Sequence, residues 1–100
     1  MDVIVKGRQE GKTTELIRRA AGEFAYIVCA DTRRVENVWR MICELGFIDE
    51  VPQPITWADF AGGNYYGRGI RAFLIDDLDA CLQSMTTVPV TAVTLTGNAT

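Results

Sequence analysis

Gly7-Arg8-Gln9-Glu10-Gly11-Lys12-Thr13-Thr14 decides how the rest of the chain is read. A short apolar run, Val3-Ile4-Val5, precedes it, and an amphipathic segment, Leu16-Ile17-Arg18-Arg19-Ala20-Ala21, follows it. The order is strand, glycine loop, helix. Such a loop turns successive backbone N–H groups inward, and the helix behind it adds its positive N-terminal end. The natural guest is a polyphosphate. The Lys12 ammonium then reaches the β- and γ-phosphates as a point charge, and the Thr13 hydroxyl holds Mg²⁺.

The phosphate-loop consensus G-x-x-x-x-G-K-[ST] has four residues between its glycines, whereas Gly7 and Gly11 enclose three. When Gly11-Lys12-Thr13 is aligned, Lys6 stands at the first-glycine position. The plainer reading is a glycine turn ahead of an ordinary helix. The strand before and the helix after favour the phosphate loop.

Outward from this loop, strands and helices alternate. Thr13 to Ala21 reads as a helix with Leu16, Ile17, Ala20 and Ala21 on one face, and Gly22 as its stop. Phe24 to Ala30 is a second strand with almost no polar position, which implies burial on both faces. Asp31 or Thr32 caps a helix to about Leu45, with a stripe of Val35, Val38, Trp39, Ile42 and Leu45 and a stop at Gly46. Trp39 reads as core packing. Phe47 to Pro54 is a linker, and Ile55-Thr56 ends a short third strand. Thr56-Trp57-Ala58-Asp59 has the form of an acidic capping box, opening one or two turns to Ala61. Gly62 to Gly69 is a glycine-rich loop whose Tyr65, Tyr66 and Arg68 suit either base or partner contact or a plain surface turn. Arg71 to Ile75 is a further strand. Leu78, Cys81, Leu82 and Met85 mark a helix face, Pro89 breaks the chain, and Val90 to Thr96 is a last β-branched strand. The pattern predicts a single α/β domain over residues 1–100, a three-layer sandwich with a mainly parallel five-stranded sheet.

Composition narrows the function. The net charge of −3 and pI near 4.8 argue against non-specific nucleic-acid binding by the whole-molecule field, although a local arginine patch is compatible with the sequence. Three scattered cysteines, Cys29, Cys43 and Cys81, with no histidine make neither a disulfide framework nor a zinc site. Their apolar settings predict buried free thiols and a reducing, cytoplasmic location. No stretch approaches the roughly 20 apolar residues of a membrane span, and the N-terminus lacks a signal-peptide layout.

Phe73-Leu74-Ile75-Asp76-Asp77 supplies the second half of a site. A buried strand pushes acids out at the carboxyl end of the sheet, where open α/β sheets bind ligands. Asp76 is placed to hold Mg²⁺, and Asp77 to orient or deprotonate an attacking water. Alternatively Asp77 caps the next helix, with Asp76 in a turn.

Gly11-Lys12-Thr13-Thr14 together with Phe73-Leu74-Ile75-Asp76-Asp77 resembles the Walker A and Walker B motifs of the P-loop NTPases. The Gly7-Arg8-Gln9 start is similar to the deviant Walker A of large-terminase and helicase-like ATPases, and Gly67-Arg68-Gly69 before the Walker B strand resembles them too. The last strand, with Thr94, Thr96 and Asn98, resembles the coupling strand of the RecA-like group. The resemblance implies a minimal P-loop core binding ATP and Mg²⁺. Gly7, Arg8, Gln9, Glu10, Gly11, Lys12, Thr13 and Thr14 would wrap the nucleotide, and Thr13 and Asp76 would hold the metal. Lys12, Asp77 and Arg8 would be catalytic, with Arg8 acting in cis on the γ-phosphate. It further implies that strand 90–96 lies between strands 3–5 and 71–76. Strand 3–5 would then be an uncovered edge open to a second copy or another protein. Where those ATPases carry Asp-Glu, this chain has Asp76-Asp77, one methylene shorter. Gly11 to Arg19, with Asp31-Thr32-Arg33 after the next strand, also resembles type II thymidine kinase, without that family's zinc cysteines or thymidine-binding lasso. Three activities are therefore expected in order: a Mg-dependent ATPase, compatible with a phage-encoded protein; a nucleotide- or protein-binding module without hydrolysis; and a small nucleoside kinase.

Overall fold

The computed structural model describes residues 1–5, 11–65 and 69–96. The element order is α1 (Lys12–Glu23), β1 (Tyr26–Cys29), α2 (Thr32–Glu44), β2 (Ile55–Thr56), α3 (Trp57–Gly62), β3 (Phe73–Ile75) and α4 (Leu78–Gln83). The strands form one parallel sheet in the order β2-β1-β3. Val28 is opposite Ile55 on one side of β1 and opposite Ile75 on the other.

Alternate residues of β1 point to opposite faces of the sheet. Ile27 and Cys29 join Ile17 and Ala20 of α1 and Val35, Val38 and Ile42 of α2 in the buried core, with Leu74 and Trp39 packed against it. Tyr26 faces the other way and stacks on Phe73, which in turn meets Phe60 and Tyr65 edge-on at 4.9 Å each. Tyr65 of the glycine-rich loop is thus a packing residue. Tyr66, Gly67 and Arg68 lie outside the described residues.

Two caps fall where the sequence places them. The Asp31 carboxylate accepts from the Arg34 N–H at 2.9 Å and opens α2, and the Thr56 hydroxyl accepts from the Asp59 N–H at 3.1 Å and opens α3. Gly46, at φ 83°, follows α2 in the left-handed conformation that suits glycine. Gly22, in contrast, does not stop α1. The helix runs through it to Glu23, and Phe24 closes it at φ 48°, donating its N–H to the Ala20 carbonyl.

Among the described residues the sheet has three strands in place of the expected five. Val3–Val5 and Val90–Thr96 join no ladder, and Val5, Val93 and Leu95 are exposed. β-branched composition reports how well a residue fits a pleated, half-buried surface, and does not itself supply the paired edge. The strand at 71–75 is also shorter than expected, starting at Phe73, and α4 ends before Met85. Cys29 and Cys81 are buried, as expected, but Cys43 is exposed near the end of α2, because it lies off the Val35–Val38–Ile42 stripe. Among the described residues, no helix is long and apolar enough to cross a membrane.

Candidate functional site

Gly11 introduces α1 at φ 74°, a conformation that costs glycine little and most side chains more. Nothing lies within 4 Å of where a Cβ would stand, so the backbone angle, not crowding, calls for glycine here. This turn directs Lys12 and Thr13, the first two residues of α1, toward the carboxyl end of β3. The remaining residues assigned to the loop, Gly7, Arg8, Gln9 and Glu10, lie outside the described residues.

At that end the two halves of the site meet. The Lys12 ammonium lies 2.6 Å from Asp77 Oδ1. One residue along each element, Thr13 Oγ1 donates to Asp76 Oδ2 at 3.3 Å. Thr14 is half-buried one position further into α1, with no described side-chain bond to either aspartate. Two consecutive residues of a helix start therefore engage two consecutive acids at a strand end, 63 and 65 positions away.

The acids sit in different environments. Asp76 is only 8% exposed, and its N–H donates to the Val28 carbonyl at 2.9 Å, which ties it to β1. Burial raises its carboxyl above the ordinary value, and the neighbouring charge of Asp77 raises it further. The Thr13 hydroxyl, Lys12 and Arg34 pull it back. Asp77 is about a third exposed. It occupies the N-cap position of α4 at φ 54°, yet its side chain makes no capping bond. The carboxylate goes to Lys12, so its part in the site prevails over its part as a cap. The hydrogen bond and charge of Asp77 raise the Lys12 pKa and keep the ammonium protonated.

Below the acids lie two thiols. Cys81 Sγ donates to the Asp76 carbonyl at 3.5 Å. Burial, and then Asp76, push Cys29 up to about 12 and Cys81 up to about 11, so both stay protonated and unreactive. The residue that sequence reasoning passed over is Arg34, in the first turn of α2, whose charge reaches Asp76. No local signal marks it: it reads as one more polar residue on the outer face of a helix, and only the pairing of β1 with β3 sets that turn at the ligand-binding end of the sheet.

The donor set fits a hard divalent cation. Among the described residues, no three His, Cys, Asp or Glu side chains gather as a metal cluster, and the oxygens available to such a cation would be the Thr13 hydroxyl and the Asp76 carboxylate. Few protein oxygens, with water and phosphate completing an octahedron, is the usual provision for Mg²⁺. Beside Lys12 and Asp77 a cavity of about 720 Å³ runs along the outer side of β3, walled by Ile4, Leu16, Phe73 and Leu95. No protein-family model, curated protein or solved structure matches this chain, which leaves its own side chains as the guide to its chemistry.

Proposed function

We propose that the chain binds a Mg²⁺-nucleoside triphosphate, ATP in the first instance, at the start of α1 and hydrolyses it. The observation that carries this reading is the double contact Lys12–Asp77 and Thr13–Asp76. An ammonium, a hydroxyl and two carboxylates converge at the helix start of a glycine turn, and this is the equipment that phosphoryl transfer requires.

Each residue has a distinct task. Lys12 binds phosphate oxygens, which compete with Asp77 for the same ammonium. Thr13 and Asp76 hold Mg²⁺, which when bound offsets the charge on the phosphate oxygens. Release from Lys12 turns Asp77 toward water, whose proton its carboxylate accepts. Arg8 would add positive charge at the terminal phosphate. Free thiols at Cys29, Cys43 and Cys81 suit a cytoplasmic setting, and among the described residues β3 pairs with a strand on one side only, which leaves its other side for a second copy or another protein.

Calorimetry with Mg·ATP tests the binding step. Lys12→Ala should abolish binding, and unchanged affinity in that variant would remove the proposal. A phosphate-release assay tests the chemistry: Asp77→Asn should bind but not turn over. One observation favours a second reading, a module that binds without hydrolysing. Asp77 is short and already committed to Lys12. Wild-type protein that binds Mg·ATP and releases no phosphate would establish that alternative.

A further inference from the structure

The cavity beside Lys12 and Asp77 has a second end, and that end is aromatic. Trp57 and Phe60, both from α3, share its wall with Lys12, Asp76 and Asp77. The register of the sheet brings them to one space. Thr56 stands opposite Cys29, one residue past the Val28 whose carbonyl receives the Asp76 N–H. Trp57 and Asp77 therefore leave the sheet at the same rim, from the two strands that flank β1. Two strand spacings, roughly 10 Å in all, separate their backbones. The volume of about 720 Å³ is that of a site for a small organic molecule, more than an ion alone requires.

The aromatic side chains differ in what they have left to offer a guest. Phe73 stacks on Tyr26 and takes the edges of Phe60 and Tyr65, so three rings enclose it. Among the described residues Trp57 meets one ring, Phe60, at 5.5 Å, and it stands half-buried on the cavity wall. A partly covered indole beside a polar cleft gains most from a flat, apolar partner, because stacking takes a large area of both rings out of water. A peptide or an acyl chain would cover the apolar wall and leave Lys12 without an anion. A nucleotide has both kinds of end, anionic at one and planar aromatic at the other, in the order in which this cavity presents its walls.

We propose that the nucleobase of the bound nucleotide enters this cavity and stacks on Trp57, with Phe60 as the backing ring, while the phosphates lie at Lys12 and Thr13. This rests on the nucleotide reading above and adds to it the place of the base. Trp57 is then a binding residue that supplies affinity for the nucleoside and none for the phosphates.

Calorimetry with Mg·ATP and with Mg·tripolyphosphate, which has the phosphates and no base, tests this. Trp57→Ala should weaken Mg·ATP about tenfold, the scale of a lost base–aromatic stack, and leave Mg·tripolyphosphate within about twofold. Trp57→Phe keeps a ring and should hold Mg·ATP within about threefold of wild type. Indole emission gives a reading that needs no truncation. Mg·ATP should change the emission of the wild type and Mg·tripolyphosphate should not. The response should vanish in Trp57→Phe, because the other tryptophan, Trp39, packs against the core from α2. Equal weakening of both ligands by Trp57→Ala, no weakening of Mg·ATP, or unchanged emission in wild type that calorimetry shows to be saturated with Mg·ATP would overturn the proposal while the phosphate site stands. A folded wild type that binds neither ligand would remove the nucleotide reading, and this proposal with it. Lys12→Ala gives a different signature, since it should lose both ligands.

Discussion

The two flanks of β1 are finished to different degrees. On the α2 side, Ile27 and Cys29 meet Val35, Val38 and Ile42 in a fully buried layer. On the β3 side, Phe73, Leu74 and Ile75 are only half-buried, and beyond them Val90, Val93 and Leu95 are exposed. The closed flank is built mostly from residues near in sequence, from Ile17 of α1 through Val51, whereas the open flank depends on segments from both ends of the chain. Local contacts close short loops and form at low entropic cost, and distant ones do not. The candidate site lies on the seam: Asp76 is bonded to the closed flank through Val28, and Asp77 faces the open one.

The sharpest way to break this comparison is to cut the same kind of atoms from each flank. Ile42→Ala on the closed side should cost about 2–5 kcal/mol in urea unfolding, since a fully buried side chain leaves a cavity. Val93→Ala on the open side should stay within about 0.5 kcal/mol. Similar losses at both sites would mean that the flanks are equally packed in solution.

A smaller effect is expected at the seam. Folding raises the Asp76 carboxyl, so the native state holds its proton more tightly than the unfolded chain does. Stability is therefore lost as pH rises from the ordinary aspartate range through the raised value. Asp76→Asn avoids that loss. At pH 7 the variant should be more stable than wild type by about 1–2 kcal/mol, the usual gain when a functional compromise is removed. The gain should shrink as pH falls to about 4. The same substitution should abolish Mg²⁺-dependent nucleotide binding, read by calorimetry.

Next in size is the cap of α2. Asp31→Ala should cost about 1 kcal/mol, and thermal unfolding should report it as cooperative loss of the closed flank. Least of all, Phe24→Gly should raise stability by about 0.5 kcal/mol. It relieves a left-handed backbone at an exposed aromatic but gives up the ring's few contacts.

The closed flank was legible in the sequence because period and punctuation agreed there. Val35, Val38 and Ile42 recur at helical spacing, Asp31 caps the helix and Gly46 follows it. The pairing of acids with the turn at Gly11 was legible for a similar reason: each half sits at a chain reversal marked by residue type. The sheet count was not. Val90 to Thr96 has the composition of a strand, but whether it pairs depends on an edge supplied from elsewhere in the chain, which no local pattern records. Arg34 was hidden differently. It reads as one more polar residue on the outer face of a helix, and only the register of β1 against β3 brings that turn near Asp76.

The left-handed turn at Asp77 explains why the shorter acid stands there. Asp77 stands at φ 54°, in the left-handed region that aspartate visits more readily than longer side chains, whereas glutamate in the same turn meets the ordinary chiral penalty of roughly 1–2 kcal/mol. Adding one methylene to lengthen the reach toward water would thus distort the peptide that aims the carboxylate. Any route from this chain to a longer acid must first remodel the bend between β3 and α4, so side-chain length and backbone handedness at this position are inherited together.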